Sequence, residues 1–126
     1  MLGDHPLDVV LLAMDLEATK DFYADKVGLK VIRDSPGGVV FQCGGDSRLT
    51  VTKSTVGTSD EQTQASFRVD DLRAELAELR SRGVKIEDYD TPGLKTEDGI
   101  ADIGFAWIAW FIDPGKNCIG VIQTKT

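Results

Sequence analysis

One stretch of this chain occurs twice, and this internal repeat limits the possible fold more than any other feature. Residues 15–31 read DLEATKDFYADKVGLKV, and residues 71–86 read DLRAELAELRSRGVKI. Both copies begin with Asp-Leu, pass through an amphipathic segment to a Gly, and end with Lys between apolar residues. Such a repeat indicates a protein built from two copies of one structural unit.

Each copy predicts a helix, over residues 15–27 and 71–82. Asp15 and Asp71 occupy N-cap positions, where a carboxylate accepts hydrogen bonds from free backbone N–H groups. Gly28 and Gly83 stand where a left-handed residue would end each helix. The predicted buried faces consist of Leu72, Leu76 and Leu79 in the second helix and, less regularly, of Leu16, Phe22, Tyr23 and Val27 in the first.

Apolar and alternating segments predict the strands around these helices. They cover residues 7–14, 30–34, 39–43 and 48–53 in the first half, and 63–69, 84–89, 100–112 and 118–123 in the second. The nearly continuous apolar run at 7–14 predicts a strand that is buried on both faces. Residues 91–99 are predicted to form a long loop.

Each half therefore has the order β-α-β-β-β, and we expect an α+β protein with both helices on the outside. The expected organisation is a single domain, residues 1–126, of two modules. The first module covers residues 1–53, a polar linker covers 54–62, and the second module covers 63–126.

Composition excludes several classes of function. A net charge of −7 argues against a nucleic-acid partner. No apolar run is long enough to span a membrane and no signal pattern precedes the first strand, so we expect a cytoplasmic protein with no membrane contact. Cys43 and Cys118 lack a CxxC spacing and are expected to be free thiols. The single histidine, His5, leaves little room for histidine-based catalysis or metal binding.

Three fragments carry a resemblance to a known family. They are MDLE at 14–17 with Phe22-Tyr23 and Gly28-Leu29, FRVDDL at 67–72, and WFIDPGKN at 110–117. In this order the chain resembles the vicinal oxygen chelate superfamily, which includes glyoxalase I, extradiol dioxygenases, fosfomycin-resistance enzymes and bleomycin-resistance proteins. The resemblance implies two βαβββ modules that form a curled mixed sheet around a cavity. It also implies a homodimer, which would cover exposed sheet edges.

The resemblance further implies where a divalent metal would bind. The matching positions are Asp8 and Gln64 in the first strands, and Thr50 and Gly120 in the last strands. The family's metalloenzymes place His and carboxylates there, whereas this chain offers one carboxylate, one amide, one hydroxyl and no side chain. We therefore expect these positions to converge without binding a transition metal, and no cofactor. Mg²⁺ bound by oxygen ligands remains an alternative. Gly120 is expected to leave open space for a ligand.

Strand alternation adds further residues to the expected ligand-binding face. The complete candidate set is Asp8, Arg48, Thr50, Gln64, Arg68, Trp110 and Gly120. Core packing is the alternative role for Trp110, and a solvated strand end is the alternative for each arginine. This mixture of apolar, neutral and charged groups suits a small organic ligand.

Three functions are consistent with these residues. The first is a metal-independent small-molecule binding protein of the bleomycin-resistance type that acts by sequestration. The second is a glyoxalase-like lyase or isomerase, or a dioxygenase-related enzyme, with a degenerate or oxygen-only metal site. The third is a metal-free enzyme with Asp8 as general base. The acidic chain would suit a cationic ligand, whereas the arginines argue for the opposite charge.

Overall fold

The computed structural model describes residues 1–59 and 62–125. Asp60 and Glu61, which belong to the predicted linker, and Thr126 lie outside the described residues. The chain divides into two compact units, Met1–Thr58 with Pro114–Asn117 and Ser59–Asp113 with Cys118–Thr126, which we call the first and second modules. The turn at 114–117 groups with the first module, where Asn117 Nδ2 donates to the Leu12 carbonyl at 2.9 Å.

The first module has the predicted β-α-β-β-β order. Its elements are β1 (Asp8–Ala13), α1 (Leu16–Asp21) with a π-helical continuation (Phe22–Val27), β2 (Lys30–Ser35), β3 (Gly38–Gln42) and β4 (Arg48–Lys53). The strands form one mixed sheet in the order β1-β4-β3-β2, in which β1 and β4 run parallel. The helix is the crossover that a parallel pair requires.

The second module repeats this order with an insertion. Its elements are β5 (Thr63–Arg68), α2 (Leu72–Ser81), β6 (Asp90–Thr91), β7 (Leu94–Lys95), β8 (Ala101–Asp102), β9 (Ala106–Ile112) and β10 (Cys118–Thr124). The sheet order β5-β10-β9-β8 matches that of the first module, with β5 and β10 parallel, while β6 and β7 form a separate hairpin. The predicted α+β fold of two βαβββ modules is confirmed, and each module has its own four-stranded mixed sheet.

The helix ends confirm the capping pattern. Asp15 Oδ1 accepts a hydrogen bond from the Ala18 N–H at 3.0 Å, and Asp71 Oδ1 accepts the equivalent bond from Ala74 at 3.1 Å. Gly28 and Gly83 have φ of 83° and 86°, a backbone conformation that favours glycine. Two aspartates and two glycines therefore mark the repeated helices as the sequence predicts.

The predicted strand at 84–89 is wrong. This segment forms no ladder and donates one backbone hydrogen bond to the sheet, from Glu87 N–H to the Trp110 carbonyl at 2.9 Å. Val84 and Ile86 are buried, which explains the apolar alternation. The Tyr89 carbonyl instead accepts from the Thr96 N–H, so its backbone bonding is to the following loop.

Two further boundaries differ from the prediction in this region. Residues 100–112 form two antiparallel strands, β8 and β9, instead of one. Residues 91–99, predicted as a loop, contain part of the β6–β7 hairpin. The β strand that follows α2 in the sheet is therefore the two-residue β8.

One face of each sheet packs against its helix. In the first module this core contains Leu11, Ala13, Val39, Phe41, Leu49 and Val51, together with Thr19 and Tyr23 from the helical segment. The Tyr23 and Phe41 rings lie 5.8 Å apart between centroids. In the second module, the predicted face of α2 is buried through Leu72, Leu76 and Leu79. Among the described residues, no helix is long and apolar enough to span a membrane.

The prediction that both faces of β1 are buried is wrong. Leu11 and Ala13 lie in the core, but Val10 is 59% exposed and Leu12 38% exposed. Successive side chains of a strand point to opposite faces, so Val10 and Leu12 lie on the face away from α1. An apolar run is thus compatible with burial on one face and an apolar surface on the other.

Candidate functional site

The surface of the first sheet that faces away from α1 carries the predicted site residues of the first module. We call this surface the open face. Register partners on adjacent strands project to the same side of a sheet. The pairs Asp8–Arg48 and Val10–Thr50 between β1 and β4, and Thr50–Val40 between β4 and β3, therefore share the open face.

Asp8 and Arg48 form one row of this face, directly beside each other in the register. Within residues 1–59 and 62–125, neither side chain has a hydrogen bond or an ion pair. Thr50 lies in the next row and is half-buried. The structure thus brings Asp8, Arg48 and Thr50 together on one surface.

A β-bulge in β2 adds two residues that sequence reasoning missed. The register shifts between Val31 and Arg33, with Val31 opposite Phe41 and Arg33 opposite Val40. Ile32 is therefore the extra residue of the bulge. Such a bulge bends a strand and changes the direction of its side chains, and bulges are frequent near functional sites.

The bulge borders a depression on the open face. This depression has a volume of about 360 Å³ and is lined by Ile32, Arg33, Val40 and Arg48. This is within the size range of small-ligand sites. Ile32 is 41% exposed, so apolar surface remains accessible beside the two guanidinium groups. We call this feature the arginine depression.

Gln64, Arg68 and Gly120 lie on the second module's sheet. Gly120 is opposite Ser66 on β5, and Arg68 is opposite Ile122, so Gly120, Ser66 and Arg68 share a face. Gln64 and Arg68 are exposed, whereas Gly120 is buried. The predicted placement of Gln64 on this face by alternation is not supported, because the register shifts from Cys118–Thr63 to Ile119–Ala65 and leaves Gln64 as the extra residue of a bulge. The convergence of these residues with Asp8 and Thr50 stays a prediction.

The expected open space beside Gly120 is absent. A Cβ atom at this position would lie 2.5 Å from Ser66 Oγ and 3.2 Å from Ile108 Cδ1. Both distances are shorter than ordinary van der Waals contact, so neighbouring side chains already occupy the space. No ligand group can reach deeper at Gly120 unless Ser66 moves.

Trp110 is part of a packed cluster in the second module. Its ring packs edge-to-face against the Tyr89 ring, with 5.4 Å between the ring centroids. The other buried residues of the cluster are Ala101, Ile108 and Cys118. The indole N–H donates to Thr63 Oγ1 at 2.9 Å. Partly buried Tyr89 and Leu94 pack on this cluster, so the segment between α2 and β8 covers this side of Trp110.

The residues at the expected metal positions do not fit a transition metal. Zn²⁺, Ni²⁺ or Fe²⁺ require several imidazole, thiolate or carboxylate donors around one point. Asp8 is the one such donor among the four positions. In the described part of the chain, no group of three or more His, Cys, Asp or Glu side chains could hold a metal ion. We derive no chemical step through a metal.

The cysteines offer no activated nucleophile. Burial raises the pKa of the Cys43 thiol, although a hydrogen bond with the Leu49 backbone acts in the opposite direction. A raised pKa keeps the thiol protonated at neutral pH, and the thiolate is the reactive form. Cys118 is buried in the Trp110 cluster. Both cysteines are free thiols, as predicted.

Comparison with known proteins identifies the fold family. A sequence profile described as Glyoxalase/Bleomycin resistance protein/Dioxygenase superfamily matches residues 5–119. No curated protein matches the chain. Among solved structures, TnmS3, an antibiotic binding protein from Streptomyces sp. CB03234, is 26% identical, with 96% of each chain covered and a TM-score of 0.69.

Two other structures are similar over nearly their full length. A glyoxalase/bleomycin resistance protein from Streptomyces sp. CB03234 is 26% identical, covers 94% of this chain and 100% of its own, and has a TM-score of 0.69. A glyoxalase family protein from Bacillus anthracis is 18% identical, covers 96% of this chain and 95% of its own, and has a TM-score of 0.74. At that identity, the last likeness concerns the fold alone.

Proposed function

This chain belongs to the Glyoxalase/Bleomycin resistance protein/Dioxygenase superfamily, and we propose that it is a metal-independent small-molecule binding protein that acts by sequestration. Superfamily membership defines the fold, and function has to be argued from the residues of the site. The similarity to TnmS3, an antibiotic binding protein, supports a binding role.

The observation that carries this proposal is the chemistry of the open face. Val10 and Leu12 expose apolar surface there, and Asp8 and Arg48 add charges that have no side-chain partner in the described residues. Apolar area with a few polar groups is the usual composition of a small-ligand site. A ligand bound on this face would bury apolar surface and contact a charged side chain.

A glyoxalase-like lyase or a dioxygenase-related enzyme is the alternative within this superfamily. Such an enzyme uses a metal to polarise oxygen or a carbonyl group. The four expected metal positions, Asp8, Thr50, Gln64 and Gly120, provide too few metal-binding side chains for that role. This favours binding over catalysis.

Two measurements on the purified protein separate these functions. We expect Zn²⁺, Ni²⁺ or Fe²⁺ to leave the melting temperature almost unchanged, because a ligand stabilises a fold only when it binds the native state. We expect a compound in a ligand screen to raise the melting temperature. Stoichiometric binding of one metal ion that is lost in Asp8→Ala would overturn the proposal in favour of the enzyme.

The location of the binding site is tested with matched variants. Arg48→Gln is expected to weaken binding of the screened compound, whereas Lys26→Gln, which removes the same charge from the helical segment after α1, is expected to have no effect. Equal loss of binding in both variants would show that the site is not on the open face.

We also propose a cytoplasmic homodimer. The strands β1 and β2 are the edges of the first sheet, and β5 and β8 are those of the second. Sheet edges with free backbone groups are usually covered or paired in folded proteins. Light scattering is expected to give twice the mass of one chain, and a monomer at high micromolar concentration would exclude the dimer.

A further inference from the structure

We propose that the ligand of the open face is an organic anion with an apolar body, bound at the arginine depression. This inference rests on the proposed function and specifies the ligand class for the same site. It depends on three features of the first module: its local charge, the bulge in β2, and the apolar lining of the depression.

The local charge is opposite to that of the chain. One row across the sheet contains Lys30, Gln42, Arg48 and Asp8, and the next row contains Arg33. The open face thus carries three cations and one carboxylate, although the whole chain has a net charge of −7. A cationic surface on an acidic protein favours approach of an anion to this face.

The cations of this face are available for a ligand. In the described residues, Lys30, Arg33 and Arg48 have no side-chain hydrogen bond or ion pair. In contrast, Lys20 of the same module is bound to Asp34 at 2.6 Å. A guanidinium group presents several N–H donors in a planar arrangement that matches carboxylate, phosphate and sulfonate oxygens.

The bulge places an arginine beside an apolar side chain. Ile32 and Arg33 are consecutive residues, and on a regular strand they would point to opposite faces. Because Ile32 is the extra residue at the bulge, both line the same depression. This arrangement places a donor for an anionic group next to a surface for an apolar group.

The lining and volume define the rest of the ligand. Ile32 and Val40 provide apolar contact between Arg33 and Arg48, and the volume of about 360 Å³ accommodates one or two fused rings. Inorganic anions alone would leave this apolar surface unused. A flat apolar body with one acidic group satisfies both parts of the depression.

A matched pair of fluorescent probes tests this inference. Anilinonaphthalene sulfonate carries an acidic group, and phenylnaphthylamine has the same ring systems without it. We expect the sulfonate to bind at least about tenfold more tightly, because its charge contacts the two guanidinium groups. Raised salt should reduce this preference, since the site is open to solvent. NMR signals of the Ile32 and Val40 methyl groups should shift on binding.

Variants separate charge from general apolar binding. Arg33→Gln with Arg48→Gln is expected to abolish the preference for the sulfonate, while Lys26→Gln retains it. Circular dichroism and thermal melting show whether each variant is folded. If both probes bind equally well to the folded protein and shift Ile32 and Val40, the anion inference is wrong and small-molecule binding stands. If neither probe shifts these methyl groups, the anion inference is wrong, and the separate ligand screen then decides the proposed function.

Discussion

Ser66 occupies the space into which a side chain at Gly120 would extend. The two residues are register partners on β5 and β10, and Ser66 Oγ lies 2.5 Å from the position of a Cβ atom at residue 120. Backbone atoms of β-strands move little, so relief requires movement of the hydroxyl or of Ile108. A side chain at residue 120 therefore requires the hydroxyl of the exposed Ser66 to move.

Gly120→Ala is expected to destabilise the protein by about 1–3 kcal/mol, because added atoms in a filled space force neighbours from their preferred positions. Urea denaturation measures this change. In a Ser66→Ala background the cost should be smaller, since the remaining Ser66 Cβ lies 3.4 Å from the new atom. A double-mutant cycle gives the coupling energy between the two sites.

Gly44→Ala is the control for this substitution. A Cβ atom added at Gly44 would have no neighbour within 4 Å, and the φ of this residue is not positive. The added methyl group should therefore change stability by less than about 0.5 kcal/mol. Equal costs at Gly44 and Gly120 would show that contact with Ser66 does not determine the effect.

Two side-chain acceptors bind backbone N–H groups at the N-terminus of α2. Asp71 accepts from Ala74, and Gln123 Oε1 accepts from the Leu72 N–H at 2.8 Å. We expect Asp15→Ala and Asp71→Ala each to cost about 1 kcal/mol, the typical value for a lost N-cap. Gln123→Ala should cost a similar amount by leaving the Leu72 N–H without its acceptor.

Urea denaturation with an unchanged m-value tests these three variants. Glu17→Ala is a suitable control, because Glu17 lies in the exposed first turn of α1 and its side chain has no hydrogen bond in the described residues. A neutral Gln123→Ala variant would contradict the assigned role of that side chain.

The sequence predicts local features of this fold better than distant contacts. Asp15, Asp71, Gly28 and Gly83 are predictable because capping depends on a few neighbouring residues. Gln123 lies on the final strand, and no local pattern links it to a helix that begins at Leu72. Contacts of this kind depend on how strands assemble and not on spacing along the chain.

The residues of the candidate site are also predicted only in part from the sequence. Strand alternation predicts that Arg48 and Thr50 share a face, and the resemblance to the superfamily implies that Asp8 lies near Thr50. The register places all three on one face. The bulge that adds Ile32 and Arg33 is not predictable, because residues 30–35 alone read as a regular strand. The strand predicted at 84–89 was wrong because burial of Val84 and Ile86 produces the same apolar alternation as a paired strand.

The Asp102 carboxylate provides a pH-dependent measurement. The Lys125 ammonium at 2.8 Å, and then the Gly104 N–H, lower the pKa of Asp102 from its ordinary value of 3.8. A lowered folded-state pKa contributes stability above the unfolded-state pKa, and this contribution is lost as the pH falls through the folded-state value. The pH range over which this stability contribution is lost therefore lies at and below about pH 4.

Lys125→Gln is expected to raise the pKa of Asp102 while leaving it partly lowered, because the Gly104 bond remains. NMR titration of the Asp102 carboxyl carbon measures this shift. Lys26→Gln makes the same charge change in the first module and should leave the Asp102 titration unchanged. An unchanged Asp102 pKa in Lys125→Gln would exclude the ion pair in solution.

Tyr89 shields Trp110 in the second module. Tyr89→Ala removes an aromatic partner at 5.4 Å and should destabilise the protein by about 1–3 kcal/mol. Trp110 emission should move to longer wavelengths as its surroundings become more polar. Trp107→Phe provides the background, because the other tryptophan is 37% exposed and would otherwise contribute to the spectrum. Tyr89→Phe retains the ring and should preserve the emission; equal shifts in both variants would contradict shielding by the ring.

Adjacent residues of β1 are expected to respond differently to substitution. Leu11 is buried, and Leu11→Ala should cost about 2–5 kcal/mol through lost contacts and a cavity. Val10 is 59% exposed on the open face, so Val10→Ser should change the stability of an isolated chain by about 0.5 kcal/mol or less. Urea denaturation over a range of protein concentrations measures both effects. A cost for Val10→Ser that increases with concentration would show that a second copy covers this residue, because only association depends on concentration. A large cost that is independent of concentration would contradict the exposure of the open face, and with it the site proposed there.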